Sequence, residues 1–294
     1  MKPCYVCEQA FVGHSRLCPR CRLIRDSRKD RALQPDDLRA AFDKLSGCFR
    51  CKYSGVCLEE VDRNSPYYRS TDHYIPGQKN VVLTGLMFNL MKSSLTGPEF
   101  ITIVPELDDH HLTGRPFNRD IIKFTHWNRR PAPPFALNRP PPLSRLVNVP
   151  ACIICDRPPL RYSYYCAVCR KLVFQHGTAP PRQNALHASF NKELDGFLCY
   201  YTGIKLDLTG RYGPWHISFD HRTPGDEDSQ VVAALWVNRM KTFLTEAQFL
   251  AVIHSLAGPI RTGAPFDKSV VTARDFGRQI RRIGAGNPLG VRRV

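Results

Sequence analysis

Residues 215–249 read WHISFDHRTPGDEDSQVVAALWVNRMKTFLTEAQF, and this stretch decides the fold. An apolar run with strand character ends in Asp220 and His221, and a short turn follows it. Behind the turn, Asn238 and Lys241 fall on a segment with helical spacing. A strand, a loop and a helix of this kind bring a carboxylate, an imidazole and a carboxamide together. Such a group can hold a divalent cation against a phosphodiester while the histidine takes a proton from water.

The same pattern occurs a second time in the chain. Residues 70–100, STDHYIPGQKNVVLTGLMFNLMKSSLTGPEF, supply its members in the same order: Asp72, His73, Asn89 and Lys92. An offset of 148 residues holds from the N-terminal cysteines to the Asp-His pair, and one inserted residue follows it. Even GRPFNRDII (114–122) and GAPFDKSVV (263–271) correspond. A register kept over nearly the whole chain indicates a duplicated domain.

Each copy begins with two closely spaced cysteine pairs in the arrangement C-x2-C-x10-C-x2-C. Their members are Cys4, Cys7, Cys18 and Cys21 in the first copy and Cys152, Cys155, Cys166 and Cys169 in the second. Two thiolate pairs on separate turns form the closed tetrahedral shell of structural zinc, so the sequence predicts two structural Zn²⁺ ions. The alternatives are free buried cysteines or a redox pair, although a redox site needs no second pair.

The charge of the chain indicates a polyanionic partner. Lysine and arginine total 42 against 26 acidic residues, which gives a formal charge of +16 over 294 residues. Nucleic acid is the leading candidate, because neutralising phosphates releases condensed counterions. No apolar run approaches a membrane span, and MKPCYVC lacks the hydrophobic region of a signal peptide. We therefore expect no membrane partner and an intracellular, reducing compartment, which fits the eight cysteines of the two C-x2-C-x10-C-x2-C groups.

Basic residues cluster beside the first cysteine group and in the C-terminal tail. The predicted phosphate contacts are Arg20, Arg22, Arg25, Arg28, Lys29, Arg281 and Arg282. The alternatives are a solvated helix face for the first cluster and a frayed terminus for the second.

A helix is predicted over residues 34–47, QPDDLRAAFDKLSG, with Gly47 at its end. Its buried face would be Leu38, Ala41, Phe42 and Leu45. Three further cysteines follow it, namely Cys48, Cys51 and Cys57. No fourth ligand lies at a suitable spacing, so we interpret them as packing residues or as the remnant of a lost zinc site.

The domain organisation follows the repeat. Residues 131–150, PAPPFALNRPPPLSRLVNVP, are proline-rich and predict an extended linker. Residues 1–130 would form the first domain, a zinc ribbon with a metal-binding core, and residues 151–294 the second, with a basic tail.

The residues of both copies resemble the HNH nucleases, whose ββα-metal fold ends its first strand in an aspartate and a histidine. Asp72 with His73 and Asp220 with His221 match that first motif. Asn80 matches the central asparagine, Asn89 and Asn238 the last one, and Lys92 and Lys241 the lysine that often follows. The resemblance implies an α+β fold with two tandem HNH-like cores, each behind a zinc ribbon and a helix. The extra cysteine pair that many relatives carry beside the last asparagine is absent from both copies.

The function that the resemblance implies is metal-dependent hydrolysis of phosphodiester bonds in DNA rather than RNA. His73 or His221 would be the general base. Asp72 with Asn89, or Asp220 with Asn238, would hold one Mg²⁺ or Mn²⁺ ion, and Lys92 and Lys241 would offset phosphate charge.

Two observations keep a second hypothesis open. The second copy has Gln230 where the first has Asn80, so the contact that orients its histidine loop is in doubt. The charge, the zinc sites and the duplication suit a non-catalytic nucleic-acid-binding protein equally well, for example a structural component of a ribonucleoprotein such as a ribosome. The Asp, His and Asn residues are intact in both copies, which favours the endonuclease, because drift should have eroded at least one set.

Overall fold

The computed structural model describes residues 1–26, 33–127, 149–161, 163–176, 179–208 and 213–278. Their contacts divide the chain into two compact units. Unit 1 comprises the described parts of Met1–Thr113, Asp120–His126 and Thr242–Val294, and unit 2 those of Gly114–Arg119 and Trp127–Lys241. Helices and small antiparallel sheets build both units, so the predicted α+β class is confirmed.

The units do not follow the repeat boundaries. By sequence, residues 242–278 belong to the second copy, whereas by packing they belong to unit 1. The predicted linker, residues 131–150, lies outside the described residues except for its last two positions.

Unit 1 begins with a hairpin and two short helices. β1 (Lys2–Pro3) pairs antiparallel with β2 (Ala10–Phe11). α1 (Pro19–Arg25) and α2 (Pro35–Ala41) follow. Both helices begin on proline, whose fixed φ and missing N–H suit the first helical position.

α2 ends six residues earlier than the sequence pattern predicts. It stops at Ala41 instead of Gly47, and the chain turns into a second hairpin, β3 (Phe42–Asp43) with β4 (Cys48–Phe49). Leu45 lies in this turn and is fully exposed, so its predicted burial is wrong. The other three apolar positions are buried or half-buried. Pairing between strands overrides the helical spacing here.

A longer hairpin with a helix directly behind it forms the centre of each unit. In unit 1, β5 (Arg69–His73) pairs with β6 (Val81–Gly85), and α3 (Leu86–Lys92) follows. The register places His73 opposite Val81. Met87, Phe88 and Met91 fix α3 to the core, since all three are buried.

Unit 2 repeats this arrangement. Its elements are α5 (Ala167–His176), α6 (Pro180–Ser189), β7 (Phe190–Asn191), β8 (Gly196–Phe197), β9 (Ile217–His221), β10 (Gln230–Ala234) and α7 (Leu235–Lys241). β7 pairs with β8, and β9 pairs with β10 with His221 opposite Gln230. Short 3-10 helices lie at Arg119–Ile121, Glu227–Ser229 and Lys268–Val270.

Unit 1 is completed by two helices that correspond in the repeat. α4 (Gly97–Thr113) packs against α8 (Glu246–Thr262). The apolar positions Ile103, Val104 and Leu107 of α4 and Val252, Ile253 and Leu256 of α8 are almost completely buried. A capping box at Thr245 and Gln248 fixes the start of α8.

Each unit also holds a phenylalanine from the other copy. In unit 1, the ring of Phe266 contacts those of Tyr67 and Phe88, with centroids 6.0 and 5.3 Å away. In unit 2, Phe117 contacts Trp215 and Trp236 at 6.2 and 5.8 Å. Because these residues correspond in the repeat, each unit takes up an equivalent segment of the other copy, and we call these the exchanged segments (114–119 and 263–268).

No single helix among the described residues is long and apolar enough to cross a membrane; α7 and α8 pass that test of length and composition only when counted together.

Candidate functional site

The two four-cysteine groups form closed clusters of sulfur atoms. In unit 1, the Sγ atoms of Cys4, Cys7, Cys18 and Cys21 all lie within 4.8 Å of one another and are buried. The Sγ atoms of Cys7 and Cys18 are 3.7 Å apart. Four sulfurs at zinc–sulfur distances of about 2.3 Å stand roughly 3.8 Å from one another in a tetrahedron. The geometry of the cluster therefore fits structural zinc.

Backbone donors favour the thiolate form of Cys4, whereas burial raises the pKa of Cys7 and Cys21. The N–H of Cys18 donates to Sγ of Cys4 over 3.3 Å. Burial raises the pKa of the Cys4 thiol, but the N–H groups of Cys18, Cys7 and Val6 outweigh it and bring the pKa to about 6. Hydrogen bonds to the charged form of a group lower its pKa in this way.

Unit 2 builds the same shell. Cys152, Cys155, Cys166 and Cys169 are buried, with their Sγ atoms within 4.8 Å of one another. Sγ of Cys155 lies 3.5 Å from that of Cys166 and 3.4 Å from that of Cys169. Burial raises the pKa of the Cys152 thiol, but hydrogen bonds from the backbone N–H groups of Cys166 and Ile154 outweigh it, so the pKa is lowered. Both clusters are thus compatible with the two predicted zinc ions.

The aspartate of the repeated motif is buried and paired in unit 1. Asp72 is the last residue but one of β5 and is 5% exposed. The hydroxyl of Tyr53 donates to its Oδ2 over 2.9 Å, and Nζ of Lys92 lies 3.3 Å from the same oxygen. Lys92 is 1% exposed and also donates to the carbonyl of Leu95 over 2.6 Å. Burial, and then the neighbouring carboxylate, raises the pKa of Tyr53, so its hydroxyl remains a donor.

Unit 2 makes the same contacts. The hydroxyl of Tyr201 donates to Oδ2 of Asp220 over 2.6 Å, and Nζ of Lys241 lies 3.2 Å from Oδ1 and Oδ2. Lys241 also donates to the carbonyl of His221 over 2.8 Å. Burial raises the pKa of the Asp220 carboxyl, and the ammonium of Lys241 and the hydroxyl of Tyr201 oppose that rise. We call these two groups the Tyr-Asp-Lys clusters.

The last asparagine of each motif binds the strand instead of the aspartate. Nδ2 of Asn89 donates to Oγ of Ser70 over 2.8 Å and to the carbonyl of Thr71 over 3.0 Å. Nδ2 of Asn238 makes the equivalent bonds, 2.7 Å to Ser218 and 2.8 Å to Phe219. Both amides fasten the helix to the first strand of the hairpin.

The loop behind each histidine is closed by a side chain, and the structure corrects its alignment. In the first copy, Oδ1 of Asn80 accepts from the N–H of Ile75 over 3.2 Å. In the second, Oγ of Ser229 accepts from the N–H of Thr223 over 3.1 Å. Ser229, not Gln230, is therefore the counterpart of Asn80. The inserted residue lies in the loop before Ser229, which sequence comparison alone could not place.

Gln230 instead takes the position of Val81, opposite the histidine. Its Nε2 lies 3.0 Å from Nε2 of His221 and donates to Glu227 over 2.6 Å. The side chain of His221 is 33% exposed, and His73 is half-buried at the end of β5. Asp, His and Asn thus lie on one hairpin and its helix in both units, as predicted, but each aspartate faces a lysine.

These residues do not fit a divalent cation as they stand. Magnesium and manganese need open carboxylate oxygens and coordinated water. Here each carboxylate is buried, accepts from a tyrosine and is neutralised by an ammonium within 3.3 Å. A cation could bind only after that lysine had moved away.

The predicted phosphate contacts on α1 are largely occupied by acids. Arg20 forms a two-pronged ion pair with Glu60, at 3.0 Å from Nε and 2.5 Å from Nη2, and also donates to the carbonyl of Gly47. Arg25 pairs with Asp26 at 2.6 Å, and Arg22 is exposed. The remaining predicted contacts, Arg28, Lys29, Arg281 and Arg282, lie outside the described residues.

Two of the three additional cysteines form a disulfide. Cys48 is bonded to Cys57, with Cα atoms 5.7 Å apart. Cys51 is buried, with Sγ 3.3 Å from Oγ1 of Thr84. The packing role is therefore confirmed for Cys51 and wrong for Cys48 and Cys57. Their cross-strand proximity depends on the early end of α2.

Sequence reasoning missed two groups. Tyr53 and Tyr201 complete the Tyr-Asp-Lys clusters, and their equal spacing of 19 residues before the aspartate was the available signal. The second group surrounds Tyr5, with Arg16 and Arg39 over its ring at 4.4 and 5.0 Å.

Comparison with known proteins identifies no relative: no family model, curated protein or solved structure matches this chain.

Proposed function

We propose that the chain is a zinc-containing nucleic-acid-binding protein whose two HNH-like cores serve as scaffolds and do not hydrolyse phosphodiester bonds. The observation that carries this proposal is the burial of a lysine against the motif aspartate in both units. Lys92 and Lys241 are each 1% exposed. Their ammonium groups lie 3.3 and 3.2 Å from the carboxylates that a catalytic cation would need.

Electrostatics argue against a metal in the presence of those lysines. A divalent ion placed about 4 Å from an ammonium is repelled by roughly 8 kcal/mol at an effective dielectric constant of about 20. The asparagine adds to this argument, because its amide fastens helix to strand in both units. A lysine, a tyrosine and an asparagine that hold the aspartate strand in place stabilise a fold without needing a reaction.

The binding half of the proposal is supported by charge and by zinc. The formal charge of +16 favours a polyanion, and two four-cysteine clusters would give such a surface a rigid support once zinc is bound. We keep DNA as the first nucleic acid to test, with RNA as the parallel sample.

The test combines cleavage and binding on one preparation. Zinc-loaded protein is incubated with supercoiled plasmid and Mg²⁺ or Mn²⁺, beside the His73→Ala/His221→Ala variant. We expect equal, background nicking by both proteins, and oligonucleotide binding that weakens steeply with salt. Nicking by the native chain that the double variant loses would overturn the scaffold proposal.

Endonuclease activity is the second candidate, and one observation favours it. Asn80 closes the histidine loop of the first copy through the N–H of Ile75, as the central asparagine of an HNH motif would. If the chain cuts DNA, we expect His73→Ala to abolish more of the activity than His221→Ala, because an asparagine closes the loop of His73 and a serine closes that of His221.

A further inference from the structure

The surface around Tyr5 is a candidate anion site that the repeated motif does not use. Tyr5 lies in the first zinc ribbon, between two of the metal-binding cysteines. The guanidinium of Arg16 is 4.4 Å from the centre of its ring and that of Arg39 is 5.0 Å away. Both arginines are exposed and belong to unit 1.

Several bonds hold this group in place. The N–H of Tyr5 donates to the carbonyl of Arg16 over 2.9 Å, and its hydroxyl binds the carboxylate of Asp36. Nζ of Lys2 donates to the carbonyl of His14 over 2.8 Å. Because stacking uses the face of a guanidinium, the N–H donors on the edge of Arg16 can face a ligand, while Nη2 of Arg39 lies 3.7 Å from Glu8.

The cations line a cavity next to the zinc shell. Lys2, Arg16 and Arg39, together with Tyr5 and Glu8, border a space of about 510 Å³. The carboxylate in this lining is already engaged, since Nζ of Lys44 lies 2.5 Å from Oε1 of Glu8 and Nη2 of Arg39 lies 3.7 Å from the same oxygen. The cavity therefore presents a positive surface, with arginines whose edges match two oxygens of a phosphate.

The second copy lacks this group. Counting 148 residues onward, Ile153, Tyr164 and His187 replace Tyr5, Arg16 and Arg39. Ile153 and Tyr164 are both 45% exposed. The same zinc shell thus carries a basic surface in one copy and an apolar one in the other.

We propose that the cavity bordered by Lys2, Tyr5, Arg16 and Arg39 binds the phosphodiester backbone of a nucleic acid, and that the first zinc ribbon supplies this contact alone. The inference rests on the proposed nucleic-acid binding and assigns it to one of the two copies. An acidic protein segment could also meet two arginines, but the chain-wide charge of +16 favours the repeated phosphates of a nucleic acid.

The test measures how binding depends on salt. A fluorescein-labelled 20-nucleotide DNA, single-stranded and duplex, is titrated with native protein and with Arg16→Gln/Arg39→Gln at several salt concentrations. Each lost phosphate contact reduces the slope of log K against log salt by about 0.7 for single strands and 0.9 for duplex. We expect a reduction of roughly 1.4 to 1.8 and at least a tenfold loss of affinity at low salt.

A charge-matched control separates the site from general attraction. Arg63→Gln/Lys79→Gln removes two exposed cations from the same unit. This control is expected to leave the slope almost unchanged. An equal loss in both double variants would overturn the proposal, as would displacement of the DNA by polyglutamate at equal charge concentration. Unchanged zinc content in all variants shows that the ribbon is intact.

A transfer variant tests the same claim in the opposite direction. Ile153→Tyr/Tyr164→Arg/His187→Arg moves the group into the second ribbon, and we expect a steeper slope than that of the native chain. Failure of the native protein to bind any oligonucleotide would refute the proposed function itself. If the native protein binds and neither Arg16→Gln/Arg39→Gln nor the transfer variant changes the affinity or the salt slope, only this site would be refuted.

Discussion

The two copies agree in their interiors and differ on their surfaces. Both keep four buried thiols, a Tyr-Asp-Lys cluster and an asparagine bonded to the first strand. Around the same zinc shell, Arg16 of the first copy corresponds to the exposed Tyr164 of the second. The buried groups that both copies share therefore maintain the fold. The surface residues that differ are the ones that can give the two copies separate roles.

The largest effect is expected from loss of zinc in either copy. Cys21→Ser and Cys169→Ser each remove one thiolate from a closed shell, and structural zinc contributes about 10–16 kcal/mol in small zinc domains. We expect each variant to retain one zinc ion per chain instead of two and to unfold the ribbon concerned. Metal analysis with hydrogen exchange of the ribbon amides measures both effects. Two ions in either variant would contradict the assignment of that shell.

The Tyr-Asp-Lys clusters should respond equally to loss of their lysine. Lys92→Met or Lys241→Met leaves a buried carboxylate without its partner, and the expected cost is about 3–5 kcal/mol of unfolding free energy. Combining Lys92→Met with Asp72→Asn should recover part of it, because no unpaired charge remains. Chemical denaturation gives these values. Stabilities unchanged by Lys92→Met would show that the pair is not formed in solution.

A cross-strand contact distinguishes the hairpins that precede these clusters. In the first copy, Cys48 and Cys57 form a disulfide. In the second copy, Gly196 and Lys205 stand at the corresponding positions, and the aliphatic stem of Lys205 covers Gly196. A Cβ atom added to Gly196 would lie 2.5 Å from Cε of Lys205. Cys48→Ser/Cys57→Ser is expected to lower stability by about 2–3 kcal/mol, given the short loop that the bond closes.

The matching control for the disulfide is Lys205→Met, which keeps most of the stem over Gly196. Lys205→Met should lower the free energy of unfolding by less than Cys48→Ser/Cys57→Ser does. A reductant that does not bind zinc should lower the stability of the native protein as much as Cys48→Ser/Cys57→Ser does, and it should not change the stability of that variant. Equal stability with and without reductant would mean that the bond does not form in the folded protein.

The smallest expected difference is a pH effect confined to the first copy. The hydroxyl of Ser46 and the guanidinium of Arg50 lower the pKa of Asp43 to about 2, whereas Asn191 stands at the corresponding position of the second copy. Because the folded pKa lies below the unfolded one, this stabilisation is present above about pH 4 and is lost as the pH falls toward 2. Denaturation of native protein and Asp43→Asn should differ at pH 5 and converge near pH 2.

Features that depend on the local spacing of residues could be predicted from the sequence, whereas features that depend on contacts between distant residues could not. The cysteine spacing and the repeat offset identified both sulfur clusters, because a tetrahedral shell needs only four thiols on adjacent turns. The strand that ends in Asp72 and His73 and the helix that carries Asn89 also lie where their patterns indicated. Local spacing was sufficient for these features.

Partners distant in sequence were beyond that reasoning. Lys92 was assigned to phosphate, but its burial against Asp72 depends on how deeply α3 packs, which spacing does not reveal. The insertion near Ser229 and the early end of α2 were misplaced for the same reason, since pairing between strands fixed both. Tyr5 carried no recognisable motif at all.

The exchanged segments have a consequence for synthesis on the ribosome. Unit 2 has all of its residues once position 241 has been translated, although it starts later in the chain. Unit 1 contains residues 1–113, yet α8 and Phe266 reach it only after position 266 has been translated. Until then the rings of Tyr67 and Phe88 and the apolar face of α4 lack their cover, so the half that is made first is the half that finishes folding last.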